Sequence, residues 1–134
     1  MGLFLIPEIS YSASHEHLSL KQMYPSFFRT IPSDNLQVQV LLQLLKRFSW
    51  TWVAIVGSDD VYGRQGLQDL NALASKNGIC VPYHGLLPIT TNKTEMKNIV
   101  DNIVQTHVRV IVVFATTQIA MMFLEEAING NVTG

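Results

Sequence analysis

The sequence predicts an α/β protein, a parallel sheet flanked by helices. Three observations carry that prediction. Two short runs, Trp52 to Gly57 and Val108 to Ala115, are apolar and rich in β-branched residues, as strands covered on both faces must be. The segment from Asn92 to Gln105 places Met96, Ile99, Val100, Ile103 and Val104 at i, i+3, i+4, i+7 and i+8, the helical period. Beyond Pro32, strand-like and helix-like stretches alternate, which is the order of βαβ units.

Taken in order, Pro7 to Ser12 reads as a short strand that runs into the loop Ser12-Ala13-Ser14. Residues 15 to 24 are ambiguous and hold at most a turn of helix. Ser26 to Ile31 is a second short strand. Pro32 keeps the residue before it out of the helical region, Ser33 is a good N-cap, and Asp34 puts a negative charge in a first turn. A helix follows over residues 33 to 48. Leu36, Val38, Val40, Leu41, Leu42, Leu44, Leu45 and Phe48 leave it only a narrow polar stripe, so it should be covered on more than one side. After the strand at Trp52 comes an acidic loop, Ser58 to Tyr62, and a helix over 62 to 77 with Leu67, Leu70, Leu73 and Ala74 on one face. Gly78 stands where positive φ is wanted at a helix end. Ile79 to Tyr83 is the next strand, and Pro82 places it at an edge or ends it early. Asn92 and Glu95 have the spacing of an N-capping pair for the helix to Gln105. The strand at Val108 and a helix from Gln118 to Asn129 complete the chain.

With 134 residues there is enough chain for a core. At 48% hydrophobic and 14% charged residues it is more apolar than an ordinary soluble domain. Both ends read as cut from something larger. The net charge of −1 gives no electrostatic case for a nucleic-acid partner. No stretch reaches the roughly 18 apolar residues of a membrane span, and the start has no basic region before its apolar run, so it is not a signal peptide. The single cysteine, Cys80, is a small buried hydrophobe in a cytosolic protein and wants a partner in a secreted one. Asn92-Lys93-Thr94 and Asn131-Val132-Thr133 are glycosylation sequons.

In an open α/β sheet, ligands bind beyond the carboxyl ends of the strands. Ser12-Ala13-Ser14, the loop from Ser58 to Tyr62, and Asp34 all lie there. Hydroxyls, backbone N–H groups, a carboxylate and a tyrosine suit a small zwitterion, with the serine loop on its carboxylate and Asp34 on its ammonium. The plainer alternative is that the serines are turn residues, Asp34 only caps, and Asp59 and Asp60 open a helix. Enzyme readings have less behind them. The string GSDDVYGRQG is not a dinucleotide or phosphate loop, and no nucleophile elbow is present. His15 and His17 lack a third metal ligand nearby, and the apolar neighbours of Cys80 do not activate a thiol. No catalytic residue, metal or cofactor is expected.

The loops carry a resemblance. I-P-E-I-S-Y-S-A-S, P-S-F-F-R-T-I-P-S-D, F-S-W-T-W-V-A-I-V-G-S-D-D-V-Y-G-R-Q-G-L, N-G-I-C-V, V-I-V-V-F-A and N-V-T-G occur in that order. Together they resemble the extracellular Venus-flytrap domain of class C G-protein-coupled receptors, over essentially the whole chain. Within that family the chain is most similar to the type 1 taste receptors. Calcium-sensing, V2 vomeronasal and fish olfactory receptors share much of the pattern. A small cytosolic α/β enzyme or regulatory domain is the alternative from another class.

The resemblance implies a periplasmic-binding-protein-like parallel sheet flanked by helices, present as an incomplete fragment. Residues 1–29 would end lobe one and residues 30–134 would begin lobe two, with Arg29 to Ser33 as the hinge crossing. It implies that Ser12, Ala13 and Ser14 hold the α-carboxylate and α-amine of an amino acid, and that Asp34 and Tyr62 contact the amine and cover the ligand. Ser14 departs from the threonine of many glutamate receptors; it keeps the hydroxyl and loses a methyl contact. The resemblance further implies a disulfide from Cys80 to an absent cysteine-rich domain, and glycosylation at Asn92 and Asn131. It implies a small-molecule ligand, a second receptor subunit, a G protein reached through the absent membrane part, and a place on the outer side of the plasma membrane.

Overall fold

The structure is a computed structural model that describes residues 6–90 and 93–130. The chain divides into two compact units, Met1–Leu41 and Leu42–Gly134.

In the first unit, strand β1 (Glu8–Ser10) pairs in parallel with β2 (Phe27–Arg29), in the register Glu8 to Phe27 and Ser10 to Arg29. A 3₁₀ turn at Glu16–Ser19 lies in the connection, at the place the sequence leaves ambiguous. Helix α1 (Asp34–Arg47) starts in this unit, where the Ser33 hydroxyl accepts the Leu36 N–H at 3.4 Å, a long bond for a cap. The helix is covered along one stripe only. Val38, Leu42 and Leu45 are buried at i, i+4 and i+7, while Leu36, Val40 and Leu44 stay exposed. The expectation of cover on more than one side is therefore not met within these residues.

The second unit contains β3 (Trp52–Ser58), α2 (Val61–Lys76), β4 (Cys80–Leu87), α3 (Lys93–Gln105), β5 (Val110–Phe114) and α4 (Thr117–Asn129). The three strands form one parallel sheet in the order β4-β3-β5. Central β3 is buried from Val53 to Ser58, as its unbroken apolar run requires. From β3 the chain crosses to one side to make β4, then passes back over β3 to make β5. Right-handed crossovers in opposite directions put α2 and α3 on opposite faces of the sheet. On one face Ala54, Val56 and Leu87 pack with Met96, Ile99, Val100 and Ile103 of α3 and with Ile119, Phe123 and Ala127 of α4. On α2, Leu67, Leu70 and Ala74 are buried, as their spacing predicts.

Two strands differ from expectation for the same reason. β4 runs on past Tyr83 to Leu87, because Pro82 sits on an edge strand at an irregularity, where the register shifts between the pairs Trp52–Cys80 and Ala54–Tyr83 and the ladder then resumes. β5 is also an edge, so Val110, Ile111 and Val113 are half-buried while Val112 and Phe114 are covered. Among the described residues no helix is long and apolar enough to cross a membrane.

Candidate ligand-binding site

In the first unit the serine loop and the start of α1 are tied together. The Asp34 N–H donates to the Ser14 carbonyl at 3.0 Å. The Ser10 hydroxyl accepts the N–H groups of Ala13 (3.0 Å) and Ser12 (3.3 Å), which folds the chain back into a turn as it leaves β1. Arg29, at the end of β2, donates to the carbonyls of Ser14 (3.0 Å) and His15 (3.1 Å) and to the Ser19 hydroxyl. The carbonyls of Ser14 and His15 are thus engaged. Among the described residues, the hydroxyls of Ser12 and Ser14 make no hydrogen bond.

Asp34 is 6% exposed, and its Oδ1 is buried with no hydrogen-bond partner among the described residues. Leaving a buried acceptor unsatisfied costs about 1–3 kcal/mol, more when it is charged. The neighbouring cation, Arg29, is committed to backbone carbonyls and does not reach it. A buried carboxylate oxygen without a partner can receive an ammonium group, and serine hydroxyls can serve a carboxylate.

In the second unit, β3 and β5 are adjacent, and the helices that follow them leave on opposite faces. This is the switch point at which open α/β sheets hold ligands. The loop after β3 there divides its groups between structure and surface. Asp60 is the N-cap of α2: Oδ1 accepts the Gly63 N–H at 2.8 Å and Oδ2 accepts the Ser58 hydroxyl at 2.8 Å. Asp59 pairs with Arg64, both well exposed, a pair of small energetic weight. These two carboxylates therefore open the helix, as the plainer reading of the sequence has it. Tyr62 is half-buried with its ring edge-on to Phe114, centroids 6.3 Å apart at 70°. The sequence reading missed Phe114 as the support of Tyr62 and Arg29 as the clamp on the serine loop. Both act over long separations that no local pattern encodes.

The remaining candidates are placed as follows. His15 and His17 stand edge to face at 6.3 Å, with His15 Nδ1 accepting the His17 N–H at 3.2 Å. Among the described residues no three His, Cys, Asp or Glu side chains gather as a metal would need. Cys80 is an exposed free thiol at the start of β4. Asn92 and Asn131, with the Asn92–Glu95 capping pair, lie outside the described residues or depend on one that does.

The family described as the receptor family ligand binding region matches residues 1–134. The chain belongs to that family. It is 42% identical to taste receptor type 1 member 1 of Homo sapiens over 133 residues, 98% of this chain and 16% of the relative. It is 46% identical to member 3 of Rattus norvegicus over 121 residues, 87% of the chain and 14% of the relative. It is 40% identical to member 3 of Homo sapiens over 136 residues, 98% and 16%. Members 1 and 3 match at comparable identity, so the similarity is to the type 1 taste receptors as a group rather than to one member. It spans about one sixth of the length of the curated relatives it matches. Its mixed α/β build, with parallel sheets and flanking helices, agrees with the binding-protein-like fold expected of the family.

Proposed function

We propose that this segment forms part of the amino-acid site of a class C receptor of the type 1 taste class, and that it binds its ligand without chemically changing it. The observation that carries the reading is the Asp34 carboxylate, buried with an unpartnered oxygen and joined through its own N–H to the Ser12-Ala13-Ser14 loop. In this reading the serine loop receives the α-carboxylate, Asp34 receives the α-ammonium, and Tyr62 covers the ligand from the second lobe. Residues 1–29 end lobe one, residues 30–134 begin lobe two, and Arg29 to Ser33 is the crossing that absorbs the hinge motion. Closing requires contacts made only in the closed state, because a ligand shifts an equilibrium by no more than its differential affinity.

The whole receptor would work as a dimer at the plasma membrane, with this region outside the cell and a G protein engaged through its membrane part. Cys80 would pair with a cysteine beyond this segment, and Asn92 and Asn131 would carry glycans. The exposure of the Cys80 thiol supports a partner elsewhere. The test is a full-length receptor carrying this segment. Ser14→Ala, Asp34→Ala and Tyr62→Ala should each shift the amino-acid dose–response to higher concentration at unchanged surface expression. Unaltered curves in all three, together with unaltered amino-acid binding to the complete ligand-binding domain, would refute the assignment.

A further inference from the structure

Gly66 lies one turn after Tyr62 on α2, on the same face of the helix. Glycine is unfavourable there, because inside a helix it gives up more backbone freedom than alanine and packs nothing. What it provides is room. A Cβ at Gly66 would run into one side chain: its three nearest atoms all belong to the Phe114 ring, Cδ1 first and then Cγ at 2.6 Å. The two other glycines at this end of the sheet differ. A Cβ at Gly57 would meet the backbone of Gly63, and one at Gly63 would meet first the backbone of Ser58. Those two let a helix approach a strand, whereas Gly66 admits a ring.

The ring that fills this room has little freedom of its own. Phe114 ends β5, is the register partner of Gly57 in the central strand, and is 3% exposed. The Ser58 hydroxyl donates to the Asp60 carboxylate at 2.8 Å and lies 3.4 Å from the Phe114 carbonyl oxygen. The backbone of Phe114 is thereby fixed against both β3 and the start of α2. Its ring is bounded by α2 at Gly66 and by the Tyr62 ring, which it meets edge-on. A helical Cβ leans toward the N-terminus. A methyl group at position 66 would therefore press the Phe114 ring toward the turn that carries Tyr62. Core packing alone does not call for this arrangement, since an alanine on the helix facing a smaller aliphatic residue on the strand would fill the same space. Only an aromatic ring at position 114 offers Tyr62 the edge-to-face geometry that aromatic pairs prefer.

We propose that Gly66 and Phe114 are positioning residues of the ligand site: Gly66 seats the Phe114 ring, and the seated ring sets the angle at which Tyr62 meets an amino acid. The inference rests on the reading of Tyr62 as the cover of the ligand. It adds two buried residues that act only through that side chain.

The chain has four tyrosines, few enough for fluorine NMR of the intact chain with 3-fluorotyrosine in their place, and Tyr62→Phe identifies the signal from Tyr62. Phe114→Leu removes the ring and its magnetic shielding, and Gly66→Ala displaces it. Each should move the Tyr62 signal and leave those of Tyr11 and Tyr24, in the first unit, in place. The second readout is a full-length receptor carrying this segment, tested with the proteinogenic L-amino acids applied singly. Both variants should raise the half-maximal concentration about tenfold at unchanged surface expression, and in a Tyr62→Ala background should add less than about twofold, since residues that act through one another are not additive. Should Gly66→Ala fail to fold by circular dichroism, Phe114→Leu carries the same readouts. A Tyr62 signal that neither variant moves would overturn the proposal. So would a loss in the Tyr62→Ala background as large as in the parent, the mark of a purely structural role. A response weakened by Tyr62→Ala but by neither variant would overturn this inference alone. A response that Tyr62→Ala leaves unaltered would overturn the assignment of Tyr62 to the amino-acid site, and this inference with it.

Discussion

Alanine in place of Gly63 tests whether the first turn of α2 is held against β3 as closely as described. A Cβ there would lie 2.2 Å from the Ser58 carbonyl oxygen and 2.3 Å from the Ser58 nitrogen, where ordinary contact begins near 3.4 Å. Both are backbone atoms of Ser58, a fully buried residue of the central strand, so the helix must retreat by about 1 Å. Overpacking of this kind costs roughly 1–3 kcal/mol. The retreat also draws the Gly63 N–H away from the Asp60 carboxylate that caps the helix at 2.8 Å, a loss of about 1 kcal/mol. Against these stands the better helix propensity of alanine, at most about 1 kcal/mol. The net expectation is a destabilisation of about 2 kcal/mol. With a denaturant slope of about 1–3 kcal/mol per molar, the urea midpoint followed by far-ultraviolet circular dichroism should fall by about 1 M. A midpoint equal to or above that of the parent would show that α2 does not approach β3 this closely, and the placing of Tyr62 one residue earlier would lose its support.

Three further outcomes follow from the structure. Phe123→Ala empties the largest fully buried side chain of the core and should cost about 3–5 kcal/mol, read as loss of the cooperative urea transition. Arg29→Gln removes the clamp on the Ser14 and His15 carbonyls; in a full-length receptor it should weaken the amino-acid response as Ser14→Ala does, with surface expression retained. Burial holds the Tyr83 hydroxyl above its ordinary pKa of 10.0, partly offset by its hydrogen bond to Asn102. A group whose pKa is raised on folding lends stability that is complete below its unfolded pKa and is lost as pH rises through the folded one. Stability should therefore decline above about pH 10, and Tyr83→Phe should flatten that limb of the urea-midpoint profile.

How much of this was legible in the sequence depends on the range of the interaction. The apolar repeat of α3 and the unbroken run of β3 are local signals, and both elements form where they predict. Pro82 was read correctly as an edge marker, but its second option, an early end to the strand, did not occur, because the edge strand takes up the proline at a shift of register and pairing resumes at Tyr83. Helix α1 misled, since the abundance of leucine and valine says how much surface is apolar and not how much of it is covered. The same split runs through the candidate site. The nearness of the serine loop to Asp34 followed from the rule on strand ends and is seen as a hydrogen bond. Asp60 as a cap was available from its position before the helix. The grip of Arg29 on the Ser14 carbonyl and the edge-on contact of Phe114 with Tyr62 join residues 15 and 52 positions apart, and nothing in either local stretch announces the other.

The strand order also bears on how the sheet can be made during synthesis. The ribosome delivers β3 first, and each later strand docks on one of its two open flanks, β4 on one and β5 on the other. No strand has to wedge itself between two that are already paired. Growth by accretion from a central template lets folding keep pace with the emerging chain, and a pause in translation leaves a smaller sheet with a bare rim rather than one with a gap through its middle. The hazard in such a pause is confined to the rim, where β5 and the exposed side chains of α4 wait for cover.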